Sequence, residues 1–132
     1  IEIETGSGNT YSGYVESLAD LNYIMLSLTN CGVDKITDFT FMGHGTDCGY
    51  ANLLVNDNEG IFPQNMSDIF SPYFDNEVNI SLIACYQGRY LDDWKEIWPD
   101  ATVTGYTGTI TFVPPMSLGI YWGSGDGEWV TE

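Results

Sequence analysis

Apolar residues recur along the chain with two different periods, and the switching between them is the strongest structural signal. From Tyr14 to Leu28, Val15, Leu18, Leu21, Met25 and Leu28 fall at three- and four-residue spacing, with Ile24 beside them. That spacing predicts an amphipathic helix, with Ser12 as N-cap and Gly32 as a left-handed C-cap after Asn30 and Cys31. Ile36–Met42 is β-branched and aromatic and ends at Gly43-His44-Gly45, which predicts a buried strand. Val78–Ala84 predicts a second buried strand, stopping at Cys85, and Ala101–Gly105 predicts a third. Pro63–Phe70 and Arg89–Trp98 read as helices, with Pro72 and Pro99 beyond their ends. Ile1–Glu4 reads as a short edge strand and Thr5–Gly13 as a polar, Gly-rich connection. Tyr50–Val55, Thr109–Val113, Leu118–Trp122 and Glu128–Thr131 read as short β segments separated by turn-forming residues.

Strands alternating with helices predict an α/β fold with a largely parallel sheet flanked by helices. No linker, repeat or low-complexity tract divides residues 1–132, so a single domain is expected. Sheets of this class gather their ligands at the carboxyl ends of the strands. His44 and Cys85 each stand immediately beyond such an end, and His44 is the sole histidine of the chain.

That shared position has a chemical reading. A thiol nucleophile needs a base to take its proton and donors for the oxyanion that forms on an attacked carbonyl. Gly45, directly after the histidine, lets the backbone approach a substrate closely. Cys85 leads through Tyr86-Gln87-Gly88 into a predicted helix, whose N-terminus favours an anionic sulfur. Taken alone, His44 reads better as a turn histidine and Cys85 as a buried strand-end thiol. The matched flanks make a functional pair the better reading.

At these residues the chain resembles the caspase-like cysteine peptidases. Phe41-Met42-Gly43-His44-Gly45-Thr46 and Ile83-Ala84-Cys85-Tyr86-Gln87-Gly88 look most like the gingipain branch. The resemblance spans about Ile36 to Gly105 and implies a caspase-like three-layer core. It implies a cysteine endopeptidase with His44 as general base and acid and Cys85 as nucleophile. The backbone N–H groups of Gly45 and Cys85 would form the oxyanion hole, and a peptide or protein would be the substrate. Ile83 holds the position two before the cysteine, where relatives preferring a charged P1 residue often carry an acidic or polar side chain. Tyr121 and Trp122, near the Gly-rich C-terminal segment with Trp129, read as core or as the aromatic wall of a substrate groove.

Charge narrows the partners. Nineteen acidic residues against three basic ones give a net charge of −16, with only Lys35, Arg89 and Lys95 as cations. Phosphate neutralisation needs clustered Lys and Arg, so neither nucleic acid nor an anionic membrane surface is an expected partner. No apolar run approaches the ~20 residues that span a bilayer. The acidity and the scarcity of Lys fit a secreted or cell-surface protein, and long-range attraction favours a basic P1 residue. The chain begins at Ile1 rather than Met, which points to processing or to a fragment. A non-catalytic secreted or surface binding module on the same scaffold fits these features too.

Metals and disulfides add little. His44, Asp47 and Cys48 fall short of the ligand set zinc requires. Calcium is the one cofactor left open, at the oxygen-rich turns Asn56-Asp57-Asn58-Glu59-Gly60 and Gly123-Ser124-Gly125-Asp126-Gly127. Of three cysteines, Cys31 and Cys48 are the candidates for a bridge, and three buried reduced thiols are the alternative.

Overall fold

Alternation of inward and outward positions gives the sheet two unlike faces. The computed structural model describes residues 1–56, 58–112 and 121–132. In chain order its elements are β1 (Glu2–Thr5), β2 (Thr10–Ser12), α1 (Leu18–Asn30), β3 (Ile36–Met42), β4 (His44–Gly45), β5 (Leu53–Leu54), β6 (Gly60–Ile61) and α2 (Pro63–Phe70). There follow β7 (Phe74–Ile83), a 3-10 turn (Gln87–Arg89), α3 (Leu91–Ile97), β8 (Thr102–Tyr106), β9 (Ile110–Phe112), β10 (Tyr121–Gly123) and β11 (Trp129–Thr131).

Six strands form the main sheet in the order β11-β8-β7-β3-β1-β2. The three central strands β3, β7 and β8 are parallel, whereas β1, β2 and β11 join antiparallel. The sheet is therefore mixed, parallel at its centre and antiparallel at both flanks, rather than largely parallel. β1 is interior, between β3 and β2, so the predicted edge strand is not an edge. Its partner β2 lies within the segment read as a connection.

One face carries the core. Ile3, Phe39, Phe41, Ile80, Leu82 and Val103 pack against Leu21, Met25 and Leu28 of α1, Met66 and Phe70 of α2, and Leu91 and Trp94 of α3 in one buried cluster. Register sets the opposite face: Glu2, Thr40, Ser81, Thr104 and Thr131 stand side by side across five strands. The next outward row runs from Glu4 through Asp38 and Asn79 to Thr102. Such hydroxyls and carboxylates suit water. All three helices lie on the core face, and a third layer is not seen among the described residues.

Helix α1 starts later than its apolar spacing predicts. Ser17, not Ser12, caps it, its hydroxyl accepting from Asp20 N at 3.2 Å. The residues before Ser17 approach the core without helical hydrogen bonds. At the other end Gly32, with φ of +75°, donates to Thr29 O, and Val33 donates to Leu28 O. This is the Schellman arrangement, and Gly32 holds the left-handed position expected of it.

Two glycines allow the 3-10 turn to press on β8. A Cβ on Gly105 would lie 2.8 Å from Gly88 N and 3.0 Å from Gln87 C, both backbone atoms. A Cβ on Gly88 would lie 2.7 Å from Tyr106 C. Elsewhere in a strand interior, Gly→Ala tends to stabilise by about 0.5–1 kcal/mol. Gly105→Ala is expected to do the reverse and destabilise by about 1–3 kcal/mol, as overpacking does. The check is a lower denaturant midpoint with an unchanged slope.

Candidate active site

Strands β3 and β7 place the two chemically marked residues. Met42 pairs with Ile83 in parallel register, and Gly43 N donates to Ile83 O at 3.1 Å. His44 and Cys85 each lie two residues beyond that pair, at the carboxyl ends of adjacent central strands. The backbones then converge further. A Cβ on Gly45 would fall 2.3 Å from Cys85 O, so only glycine fits.

The chain leaves Cys85 through a strained residue. Tyr86 has φ of +65°, the left-handed region, and is the one non-glycine with positive φ among the described residues. Its N–H donates to Gly108 O at 2.7 Å, which anchors the turn. Strain of this kind concentrates at functional sites and costs on the order of 1–3 kcal/mol. Here it folds the next residue, Gln87, back beneath the strand end.

Gln87 is fully buried and its carboxamide joins three segments. Its Nε2 donates to Thr46 O at 3.2 Å and to Cys85 O at 3.1 Å, while Oε1 accepts from Asn52 N at 3.1 Å. More exposed side chains reinforce the grip. Arg89 pairs with Asp47 at 2.7 Å and donates to Thr107 O, and the Tyr90 hydroxyl donates to Asp47. Asp93 accepts from Ala51 N at 2.7 Å. The segment after Cys85 thus holds the loop after His44 at Thr46, Asp47, Ala51 and Asn52.

The two site side chains occupy different surroundings. His44 is exposed, and its ring has no hydrogen-bond partner among the described residues. Cys85 is half-buried, and its Sγ accepts from Ile110 N at 3.2 Å and lies 3.8 Å from Ile110 O. The sulfur therefore faces β9, and no hydrogen bond joins it to the His44 ring. Ile83 belongs to a small apolar cluster with Tyr106 and Ile110, against which Met42 and Cys85 pack. It also lines a depression of about 390 Å³ on the outer sheet face, with Thr40, Ser81, Thr104 and Trp129. Tyr121 and Trp122 belong to β10, paired with Phe112 and Thr111 of β9, but their side chains lie outside the described residues.

The Gly45 N–H is directed by the small β4–β5–β6 sheet. Thr46 N donates to Asn52 O, which makes Gly45–Leu53 a non-hydrogen-bonded pair. The Gly45 N–H consequently points away from β5.

The other candidate sites read differently in place. The Asp126 carboxylate accepts from Thr109 N, the Thr109 hydroxyl and Ser124 Oγ. The Ser124 bond, then the Thr109 N–H, hold its carboxyl below the usual carboxylate range. Its oxygens are taken by protein donors, which disfavours calcium at this turn. Of the other oxygen-rich turn, Asp57 lies outside the described residues. Among the described residues no group of three His, Cys, Asp or Glu side chains is placed to hold a metal ion.

Cys31, Cys48 and Cys85 are all free, so the candidate Cys31–Cys48 bridge is absent. Cys31 and Cys48 are also exposed, which corrects the alternative reading of three buried thiols. Gln87 escaped the sequence reading, which treated Tyr86-Gln87-Gly88 as a passage into a helix. The available signal was a long amide side chain placed between a strand-end cysteine and a glycine.

No family model, curated protein or solved structure matches the chain.

Cys48 is a free, exposed thiol in the loop after His44. A hydrogen bond with the Thr46 hydroxyl at 3.1 Å lowers its pKa from the ordinary thiol value. Thr46→Val removes that bond, raises the pKa and leaves less thiolate near neutral pH. Alkylation of Cys48 by iodoacetamide, mapped by mass spectrometry, is therefore expected to slow in Thr46→Val.

Proposed function

We propose that the protein is a cysteine endopeptidase of caspase-like type, working through Cys85 and His44. The observation that carries this reading is the pairing of Met42 with Ile83, which sets both residues just past the ends of adjacent parallel strands. Order supports it too, with histidine first and each residue following a buried strand.

In this reading His44 takes the Cys85 proton and the thiolate attacks the carbonyl carbon of the scissile peptide. The resulting oxyanion receives the N–H groups of Gly45 and Cys85. Collapse expels the amine, to which His44 returns the proton, and leaves a thioester on Cys85. Water, deprotonated by His44, hydrolyses the thioester and restores the thiol. The substrate is a peptide or protein, and the net charge of −16 favours a basic P1 residue through long-range attraction. The same acidity supports a secreted or surface location.

A second reading is a non-catalytic binding module on the same scaffold. The contact of Cys85 Sγ with the Ile110 backbone, rather than with His44, favours it. Catalytic contacts are frequently loose before substrate binds, so the peptidase reading is compatible with that contact.

Peptides differing only at P1 test the proposal. The wild type is expected to cleave at least the basic P1 members, and Cys85→Ser to cleave none. His44→Ala is expected to lose cleavage while its stability stays within about 0.5 kcal/mol of wild type, as for an exposed position. Failure of the wild type to cleave any peptide under reducing conditions would leave the binding-module reading.

A further inference from the structure

We propose that Gln87 is a positioning residue for the Cys85–His44 pair, its buried carboxamide fixing the loop that carries His44 against the strand end that carries Cys85. The inference rests on the peptidase reading and adds to it the part that sets the geometry.

The β4–β5 ladder shows how the carboxamide works. Thr46 and Asn52 stand opposite each other, and Thr46 N donates to Asn52 O at 3.3 Å. In an antiparallel ladder the reciprocal bond would run from Asn52 N to Thr46 O. Here Asn52 N donates to Gln87 Oε1, and Gln87 Nε2 donates to Thr46 O. The side chain has taken the place of that bond, with an acceptor on one side and a donor on the other, as a peptide group would. The second hydrogen of Nε2 reaches Cys85 O. One planar group therefore binds both sides of the loop after His44, at Thr46 and at Asn52 just before β5, and the carbonyl of the proposed nucleophile.

The partners fix the orientation of the amide. Asn52 N only donates, and the Thr46 and Cys85 carbonyls only accept, so a flipped amide would lose all three bonds. Gly45 completes the fit: a Cβ there would lie 2.8 Å from Gln87 Nε2. No other side chain supplies this set. Glutamate at neutral pH keeps the acceptor and loses both donors. Asparagine is one methylene shorter, and methionine fills the volume while leaving Asn52 N and Thr46 O unpaired.

The test is the pH dependence of Cys85 alkylation by iodoacetamide, followed on the Cys85 peptide by mass spectrometry. Wild type, His44→Ala, Gln87→Met and Gln87→Glu are compared at a temperature where circular dichroism shows each folded. In wild type the rate is expected to show a pH-dependent step, and His44→Ala to remove it. Gln87→Met and Gln87→Glu are expected to lose the same step. Their neutral-pH rate should fall on the order of 10- to 100-fold, the cost of displacing a paired group by about 1 Å.

If the Gln87 variants melt earlier yet keep the His44-dependent step, Gln87 serves the fold alone and the proposal is overturned. Failure of both variants to fold overturns it equally. A wild type without the step overturns the peptidase reading, and the positioning role with it.

Discussion

A buried carboxamide between two loops is the contact on which the site depends. Sheet pairing brings the ends of β3 and β7 side by side, but beyond Met42 and Ile83 the ladder stops and something else must hold the loops. Magnitudes indicate which contact matters. The Arg89–Asp47 pair has side chains 43% and 40% exposed, and such pairs contribute about 0–1 kcal/mol. Gln87 is fully buried, and removing its amide strands polar groups at about 1–3 kcal/mol each. The left-handed Tyr86 and the Gly88–Gly105 contact make sense in the same terms. Both let the chain turn sharply enough after Cys85 for Gln87 to reach back.

The two-faced sheet keeps every described helix away from its outer face. Every described helix is on the core face, and among the described residues the β4–β6 hairpins and the loop leading to β9 flank the ends of β3 and β7. The outer rows of Thr, Ser, Asp and Glu need no covering layer. The apolar exception is Ile83 with Tyr106 and Ile110, against which Cys85 packs, so the thiol sits where the polar face gives way to a small apolar patch.

Much of the fold was legible in the sequence where one period ran undisturbed. Ile36–Met42 and Pro63–Phe70 have the bounds their patterns predict, because Lys35 and Gly43 border the strand, while Pro63 opens the helix and Pro72 lies just beyond its end. The joint position of His44 and Cys85 was legible for the same reason. What escaped was decided by partners distant in sequence. Nothing local in Glu2–Thr5 distinguishes an edge strand from one flanked on both sides, and Thr10–Ser12 becomes a strand only by pairing with it. Helix α1 shows the other limit: Val15 continues the apolar spacing, but Ser17 offers the cap. The role of Gln87 was hidden because its partners Thr46 and Asn52 come from a hairpin about forty residues earlier, and periodicity says nothing of a single polar side chain.

Trapping of the thioester tests most directly that these strand ends form one acyl-transfer site. The protein is mixed with an activated peptide ester, quenched in acid within seconds, and its intact mass and labelled peptide are determined. The account predicts an acyl adduct on Cys85 in the wild type, absent from both Cys85→Ser and His44→Ala. An unmodified chain at every time point, or acylation confined to the exposed Cys48, would contradict it.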